Sequence, residues 1–79
     1  IGTGKKIVVR GVVRDMQATP VEGIHIYSKG NKKELAVTDK KGEYLLKQVA
    51  SDDILIFSKD GYVPKEIAVE GRSVLNVRL

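Results

Sequence analysis

The stretch VTDKKGEYLL, residues 37–46, decides the fold class. Asp39 and Gly42 bound a tight turn, in which the aspartate side chain binds its own backbone and the glycine tolerates a positive φ. Val37 lies on a short alternating strand before the turn, and the return strand begins at Glu43. A turn of this kind between two alternating segments predicts a β-hairpin with a type I turn.

The same alternation of apolar and polar residues continues on both sides of this hairpin. It marks half-buried strands, and every break between them carries Gly, Asp, Asn or Pro. The strands that we predict cover residues 6–14, 23–29, 35–38, 43–48, 54–58, 62–70 and 73–79. Seven short strands in a chain of this length predict an all-β fold, a seven-stranded Greek-key β-sandwich, and no segment keeps a helical period.

The alternation also assigns a buried face to most strands. Side chains expected to share the core faces of their strands are Ile7, Val9, Val13, Ile24, Ile26, Leu35, Val37, Ile67, Val69, Leu75, Val77 and Leu79. On the first strand the opposite face carries Val8, Arg10, Val12 and Arg14. On the second strand that face carries His25, Tyr27 and Lys29.

Length and composition limit the possible classes of protein. The chain has 79 residues, no cysteine and one histidine, which excludes disulfides and thiolate metal sites. No apolar run approaches the ~20 residues that cross a bilayer as a helix. We predict one domain over residues 7–79, preceded by a flexible segment 1–6. The missing initiator methionine suggests a piece of a longer protein.

The net charge of +4 raises the question of nucleic acid. Many of the lysines fall in predicted turns, as at residues 29–33 and 40–41, and aromatic residues are not interleaved with them. Binders of single strands use such aromatics as stacking platforms. The sequence therefore favours a solvated basic rim, and we expect no nucleic-acid partner.

The sequence offers no set of residues for catalysis. A Ser–His–Asp triad would have to use His25, which lies between two core isoleucines and faces away from the core. The segment Gly2–Lys5 lacks the full spacing of a phosphate-binding loop. We predict that the chain is not an enzyme, with no catalytic residues, no cofactor and no metal site.

Two sets of residues leave an alternative open. Five aspartates at strand ends could converge on a calcium ion, although aspartates also start turns: Asp15, Asp39, Asp52, Asp53 and Asp60. Tyr44 and Tyr62 each follow a turn, and we expect both to plug the ends of the sandwich rather than to stack on a sugar. Tyr27 is the better candidate for an exposed contact.

The order of the turns resembles that of a known family. The residues that carry the resemblance are the segments GVVRD (11–15), PVEGIHI (20–26), VTDKKGEYLL (37–46), LIFSKDGY (55–62) and VLNVRL (74–79). Together they resemble the carboxypeptidase regulatory-like domain, in particular the version found at the N-terminus of SusC-like TonB-dependent outer-membrane transporters of Bacteroidetes. The resemblance implies a transthyretin-like, immunoglobulin-like β-sandwich.

The resemblance also implies a role. It suggests a non-catalytic structural or adaptor domain on the periplasmic side of the outer membrane, attached to a transporter of glycans or other nutrients. Its partners would be a periplasmic protein or other domains of the parent protein, with a weak glycan contact as a further option and without direct insertion into the membrane. The alternative is an accessory carbohydrate- or protein-binding module of a secreted or periplasmic hydrolase or of a surface lipoprotein.

Overall fold

The computed structural model describes residues 5–79 and contains seven strands. Their bounds are β1 Lys6–Arg14, β2 His25–Ser28, β3 Glu34–Val37, β4 Glu43–Ala50, β5 Ile54–Ser58, β6 Lys65–Ala68 and β7 Val77–Arg78. They form two sheets, which we call sheet I (order β4-β1-β7) and sheet II (order β3-β2-β5-β6). The predicted all-β sandwich of seven strands is confirmed. Among the described residues, no helix is long and apolar enough to span a membrane.

The N-terminal part of the chain joins sheet I directly. Residues 1–4, which include most of the predicted flexible segment and of the discarded phosphate loop, lie outside the described residues. Strand β1 begins at Lys6, and the carbonyl of Lys5 accepts a hydrogen bond of 2.8 Å from the amide of Ser51.

The core lies between the two sheets, and part of it comes from the faces that alternation assigned, as at Val9, Ile24 and Val77. The strand and loop side chains that form it are Val9, Val13, Val21, Ile24, Ile26, Tyr44, Leu46, Val49, Leu55, Phe57, Val69, Leu75 and Val77. Phe57 is fully buried, and Tyr44 packs against it edge-on with 5.7 Å between the ring centroids. In so small a domain, burial of apolar area of this kind is the main stabilising contribution.

The turn at residues 39–42 has the predicted hydrogen bonds, but the predicted hairpin is wrong, because β3 and β4 lie in different sheets and do not pair with each other. Asp39 Oδ1 accepts hydrogen bonds from the amides of Lys41 and Glu43, at 2.8 and 2.9 Å. Gly42 has a φ of 73° and donates its amide to the carbonyl of Asp39. The turn links β3, in sheet II, to β4, in sheet I, and so connects the two sheets at their edges.

Strand β3 departs from the predicted alternation. The register between β2 and β3 shifts after Ile26, because Ile26 pairs with Ala36 whereas Tyr27 pairs with Glu34. The extra residue is Leu35, so Leu35 and Ala36 both pack against the core. A bulge of this kind reverses the faces of the following residues. Val37, which we predicted to be buried, is 44% exposed.

The last predicted strand is shorter than expected and is parallel to its partner. Strand β7 pairs with β1 through Val13 and Val77, and one isolated bridge joins Arg10 to Val74. Between these two pairings the Asn76 side chain takes the place of a main-chain acceptor, because its Oδ1 accepts a hydrogen bond from the amide of Val12 at 3.1 Å. The predicted burial of Leu75, Val77 and Leu79 on one side holds, with Leu79 partly buried.

Candidate interaction surfaces

Thr38 and Tyr44, both in the segment 37–46, make buried hydrogen bonds that stabilise the fold. Thr38 is buried, and its Oγ1 accepts the amide of Ile24 at 2.9 Å and donates to the carbonyl of Val21 at 2.7 Å. Tyr44 is buried as predicted, and its hydroxyl donates to the carbonyl of Leu75 at 2.6 Å. Burial raises the pKa of Tyr44 to about 12. These hydroxyl groups therefore stabilise the sandwich.

The aspartates of the calcium alternative do not come together. In residues 5–79 no three His, Asp or Glu side chains form a group that could hold a metal ion. Asp15 Oδ1 accepts the amides of Gln17 and Thr19, which makes it a turn residue like Asp39. Asp53 accepts hydrogen bonds from the Ser28 hydroxyl and from its neighbouring amide at Ile54. The three aspartates thus bind the chain itself, as the turn interpretation requires.

Tyr62 is not a plug, which corrects our prediction. It is 39% exposed, whereas Tyr44 is 6% exposed. The chain turns at Gly61, which has a φ of 91°, and the next strand does not begin until Lys65. Between them Val63 is 85% exposed and Pro64 has no amide for a sheet. Tyr62 therefore lies in the loop between β5 and β6, outside the buried core cluster.

The outward side of sheet II carries the one histidine and a tyrosine. His25 and Tyr27 point away from the core, and their rings are nearly parallel, at 18°, with 6.3 Å between centroids. Polar and charged groups on this side are paired: His25 Nδ1 with Glu34, and Lys29 Nζ with Glu66 at 2.9 Å. This side is a mixed surface with a small aromatic platform and compensated charges.

The outward side of sheet I differs, and sequence reasoning did not single it out as a surface. Three apolar side chains are about half exposed there: Val8, Leu45 and Val74. Arg10 lies between them, opposite Leu45 on β4 and beside Val74. The signal in the sequence was the alternation of valine with arginine in β1, which predicted a second face but not what lay beside it.

An open cleft of about 660 Å³ adjoins this surface. It runs over edge strand β4 towards β3 and is lined by Arg10, Val12, Val37, Leu45 and Val74, among others. Asp39 and Glu43 lie at its turn end. A smaller cleft of about 370 Å³ follows along β4, lined by Leu35, Leu46, Lys47, Gln48 and Val49. Two clefts in series therefore border β4.

Comparison with known proteins assigns the chain to a family. The CarboxypepD_reg-like domain family matches residues 9–79, which is nearly the whole chain. The chain belongs to this family. The match confirms the resemblance seen in the turns, and Thr38, Asp39, Gly42 and Tyr44 of this regulatory-like domain have the structural roles described above.

One curated relative aligns over most of the regulatory-like domain. It is TonB-dependent receptor P39 of Formosa agariphila, which is 30% identical over 71 residues. The aligned part is 90% of this chain and 7% of the relative. The chain thus spans a small fraction of the length of the curated relative it matches.

A solved structure with the same fold is the C-terminal domain of the PapC usher. The two chains superpose with a TM-score of 0.64 at 19% sequence identity, and the match covers 91% of each chain. At this identity the likeness concerns the fold alone, because one fold serves many functions.

Proposed function

We propose that this regulatory-like domain is a non-catalytic docking domain of a TonB-dependent outer-membrane transporter, positioned on the periplasmic side. The observation that carries the proposal is the 30% identity to a segment of TonB-dependent receptor P39 over 90% of the chain. Because the match covers only 7% of that receptor, the domain would be a small accessory part of a large protein.

The arrangement of polar groups supports a role in binding rather than in chemistry. The buried hydroxyls of Thr38 and Tyr44 bind main-chain groups, and the aspartates at turns bind the amides of their own turns. Neither set faces the clefts with a nucleophile and a base in contact, as catalysis requires. The exposed groups instead offer sheet edges and faces, which are common docking surfaces of β-sandwiches.

In this proposal the domain helps the transporter to work with a second protein in the periplasm. The imported compound would be a glycan or another nutrient, as is typical of the SusC-like transporters that the sequence resembles. The domain itself would contact neither the bilayer nor nucleic acid, and its part would be to position a partner near the transporter.

A deletion in the full-length receptor tests this role. Replacing the domain by a flexible Gly/Ser linker of equal length should leave the receptor assembled in the outer membrane but slow the uptake of its substrate. Equal length keeps the spacing, so that a loss of uptake reports on docking. Normal uptake with the linker, or a native protein that has no transporter domain, would contradict the proposal.

A second function is favoured by the outward side of sheet II. The nearly parallel rings of His25 and Tyr27 form a small platform of the kind that stacks on sugars. In this alternative the domain is an accessory carbohydrate-binding module. Calorimetric titration with glycans should then show binding that Tyr27→Ala abolishes and that Tyr62→Ala, in the loop between β5 and β6, does not change. If Tyr27→Ala and Tyr62→Ala both keep the binding, this function is contradicted.

A further inference from the structure

Strand β4 is the long free edge of sheet I. It has eight residues, lies at one end of the sheet order, and among residues 5–79 pairs with β1 alone. The amide of Val13 donates to the carbonyl of Gly42, so alternate residues counted from Gly42 face β1. Leu45 is an odd step from Gly42, and its main-chain N–H and C=O therefore point away from β1. A strand edge with such free groups is a template for another strand.

The space beside this edge is shaped for an extended chain. The two clefts of about 660 and 370 Å³ follow β4 from Glu43 to Val49, and β3 forms their far wall with Leu35, Ala36 and Val37. The far wall is apolar, and β3 is itself the edge of sheet II. A strand added beside β4 would place alternate side chains on this wall and the others on the outward side of sheet I.

The strand residues on the outward side of sheet I are mostly basic. The basic strand residues there are Lys6, Arg10, Arg14, Lys47 and Arg78, and the acidic strand residue is Glu43. These strand residues sum to +4, and Asp39 adds a second carboxylate at the turn end of the cleft. The ion pairs of residues 5–79 involve none of the five basic residues.

This charge decides between possible occupants of the edge. Two copies of the chain that paired through β4 would bring two mostly basic sheet faces side by side, which is unfavourable. A lipid surface would not fill a concave groove or pair with main-chain groups, and the exposed apolar residues here are Val and Leu rather than interfacial Trp or Tyr. An acidic peptide satisfies the edge, the groove and the charge together.

We propose that β4 is the docking edge for an extended, acidic segment of a protein partner, which adds to sheet I as a strand beside β4. Its outward side chains contact Leu45, and its carboxylates reach Arg10 and Lys47. Its inward side chains are small and apolar and lie against Leu35 and Ala36. The inference rests on the proposed docking role, for which it names the surface and the chemistry of the partner.

Binding of a designed peptide to the chain tests the inference. The probe is a short peptide of alternating glutamate and valine with blocked ends, and the matched control peptide has lysine in place of glutamate. We expect the acidic peptide to bind more tightly, and its binding to weaken as salt screens the charges. In the complex, nuclear magnetic resonance should show slowed hydrogen exchange at the amide of Leu45, because that amide becomes hydrogen-bonded.

Three variants separate the contributions to this binding. Leu45→Pro removes the free amide at an edge position where proline is tolerated, and should abolish binding. Arg10→Glu should weaken binding of the acidic peptide by about tenfold or more and favour the basic peptide instead. Tyr27→Ala, on sheet II, should change the affinity for neither peptide. If Leu45→Pro does not fold, the exchange of the Leu45 amide and the Arg10→Glu result still decide.

Each contrary result has a defined meaning. Equal affinity for both peptides, or shifts confined to sheet II, would overturn the proposal. So would dimers of the chain that Leu45→Pro dissociates, or binding to phosphatidylglycerol vesicles with none to the acidic peptide. If the peptide fails to bind while the linker replacement still slows uptake in the receptor, the docking role stands and this edge is not its site.

Discussion

Gly11 lies where β1 and the segment before β7 approach most closely. A Cβ atom at this position would come within 1.8 Å of the carbonyl oxygen of Leu75 and 3.1 Å of the Tyr44 hydroxyl. That same carbonyl accepts the hydrogen bond of Tyr44. The absence of a side chain at Gly11 therefore permits both the contact between the strands and the tyrosine anchor.

We expect Gly11→Ala to destabilise the domain by about 3 kcal/mol or more, because the strands must separate to admit the methyl group. The matched control is Gly71→Ala, where a Cβ would meet nothing within 4 Å and the φ is 70°. Its cost is that of a left-handed backbone alone, about 1 kcal/mol. Denaturant unfolding of both variants measures the difference, and equal losses would contradict this explanation.

The buried hydroxyl of Tyr44 makes stability depend on pH in alkaline solution. Burial raises its pKa to about 12 in the folded chain, against 10.0 for an exposed tyrosine. Between these values the folded state holds a proton that the unfolded state has lost, so the free energy of unfolding falls as pH rises. The contribution is complete below pH 10 and decreases by about 2–3 kcal/mol towards pH 12.

Tyr44→Phe should remove this part of the pH dependence. It should also lower stability at neutral pH by about 1–2 kcal/mol, because the carbonyl of Leu75 loses its donor in a buried place. Urea unfolding across alkaline pH checks both effects, with the difference between wild type and variant isolating this one group. Parallel curves for the two proteins would show that Tyr44 does not titrate in this range.

At the scale of elements, the residues of the turns determine where one strand ends and the next begins. Asp39 satisfies two amides of the β3–β4 turn through one oxygen, and Gly42 supplies the left-handed residue. Both features could be predicted from the sequence, because each depends only on residues of the turn itself. The bulge that turns Val37 outward could not be predicted, because it depends on the register between β2 and β3.

We expect Asp39→Ala to lower the free energy of unfolding by about 1–2 kcal/mol, because two turn amides lose their acceptor. Asp60→Ala is the matched control, since Asp60 is an exposed turn residue whose carboxylate has no hydrogen bond within residues 5–79. Its effect should stay within about 0.5 kcal/mol. Thermal melts followed by circular dichroism compare the two, and similar melting temperatures would count against the role of the Asp39 side chain.

At the scale of the whole molecule, the sequence predicted the layers better than the surfaces. Alternation identified the inward faces around Val9, Ile24 and Val77, because burial on one side leaves a period of two. It did not predict that β4 ends a sheet or that Val37 joins the cleft beside it. Neighbouring strands and free edges arise from long-range pairing, which a local pattern does not encode.

The domain should not tolerate loss of its last residues. Leu75 and Val77 are each 4% exposed in the core, and β7 closes one side of β1. Removing residues 74–79 should leave an unfolded or aggregating chain, because both the core contacts and the partner of β1 are lost. Near-ultraviolet circular dichroism and sedimentation check this outcome, and a cooperative melt in the truncated chain would contradict it.

The central place of β1 has a consequence for how the protein is made. This first strand lies between β4 and β7, and the hydrogen bond from Val12 to Asn76 spans 64 positions of the chain. During synthesis β1 can pair with β4 as soon as β4 is made, but its other edge stays unpaired until residues 74–78 follow. Sheet I is therefore completed in a late step, and a chaperone that shields the valines of β1 would act before that step.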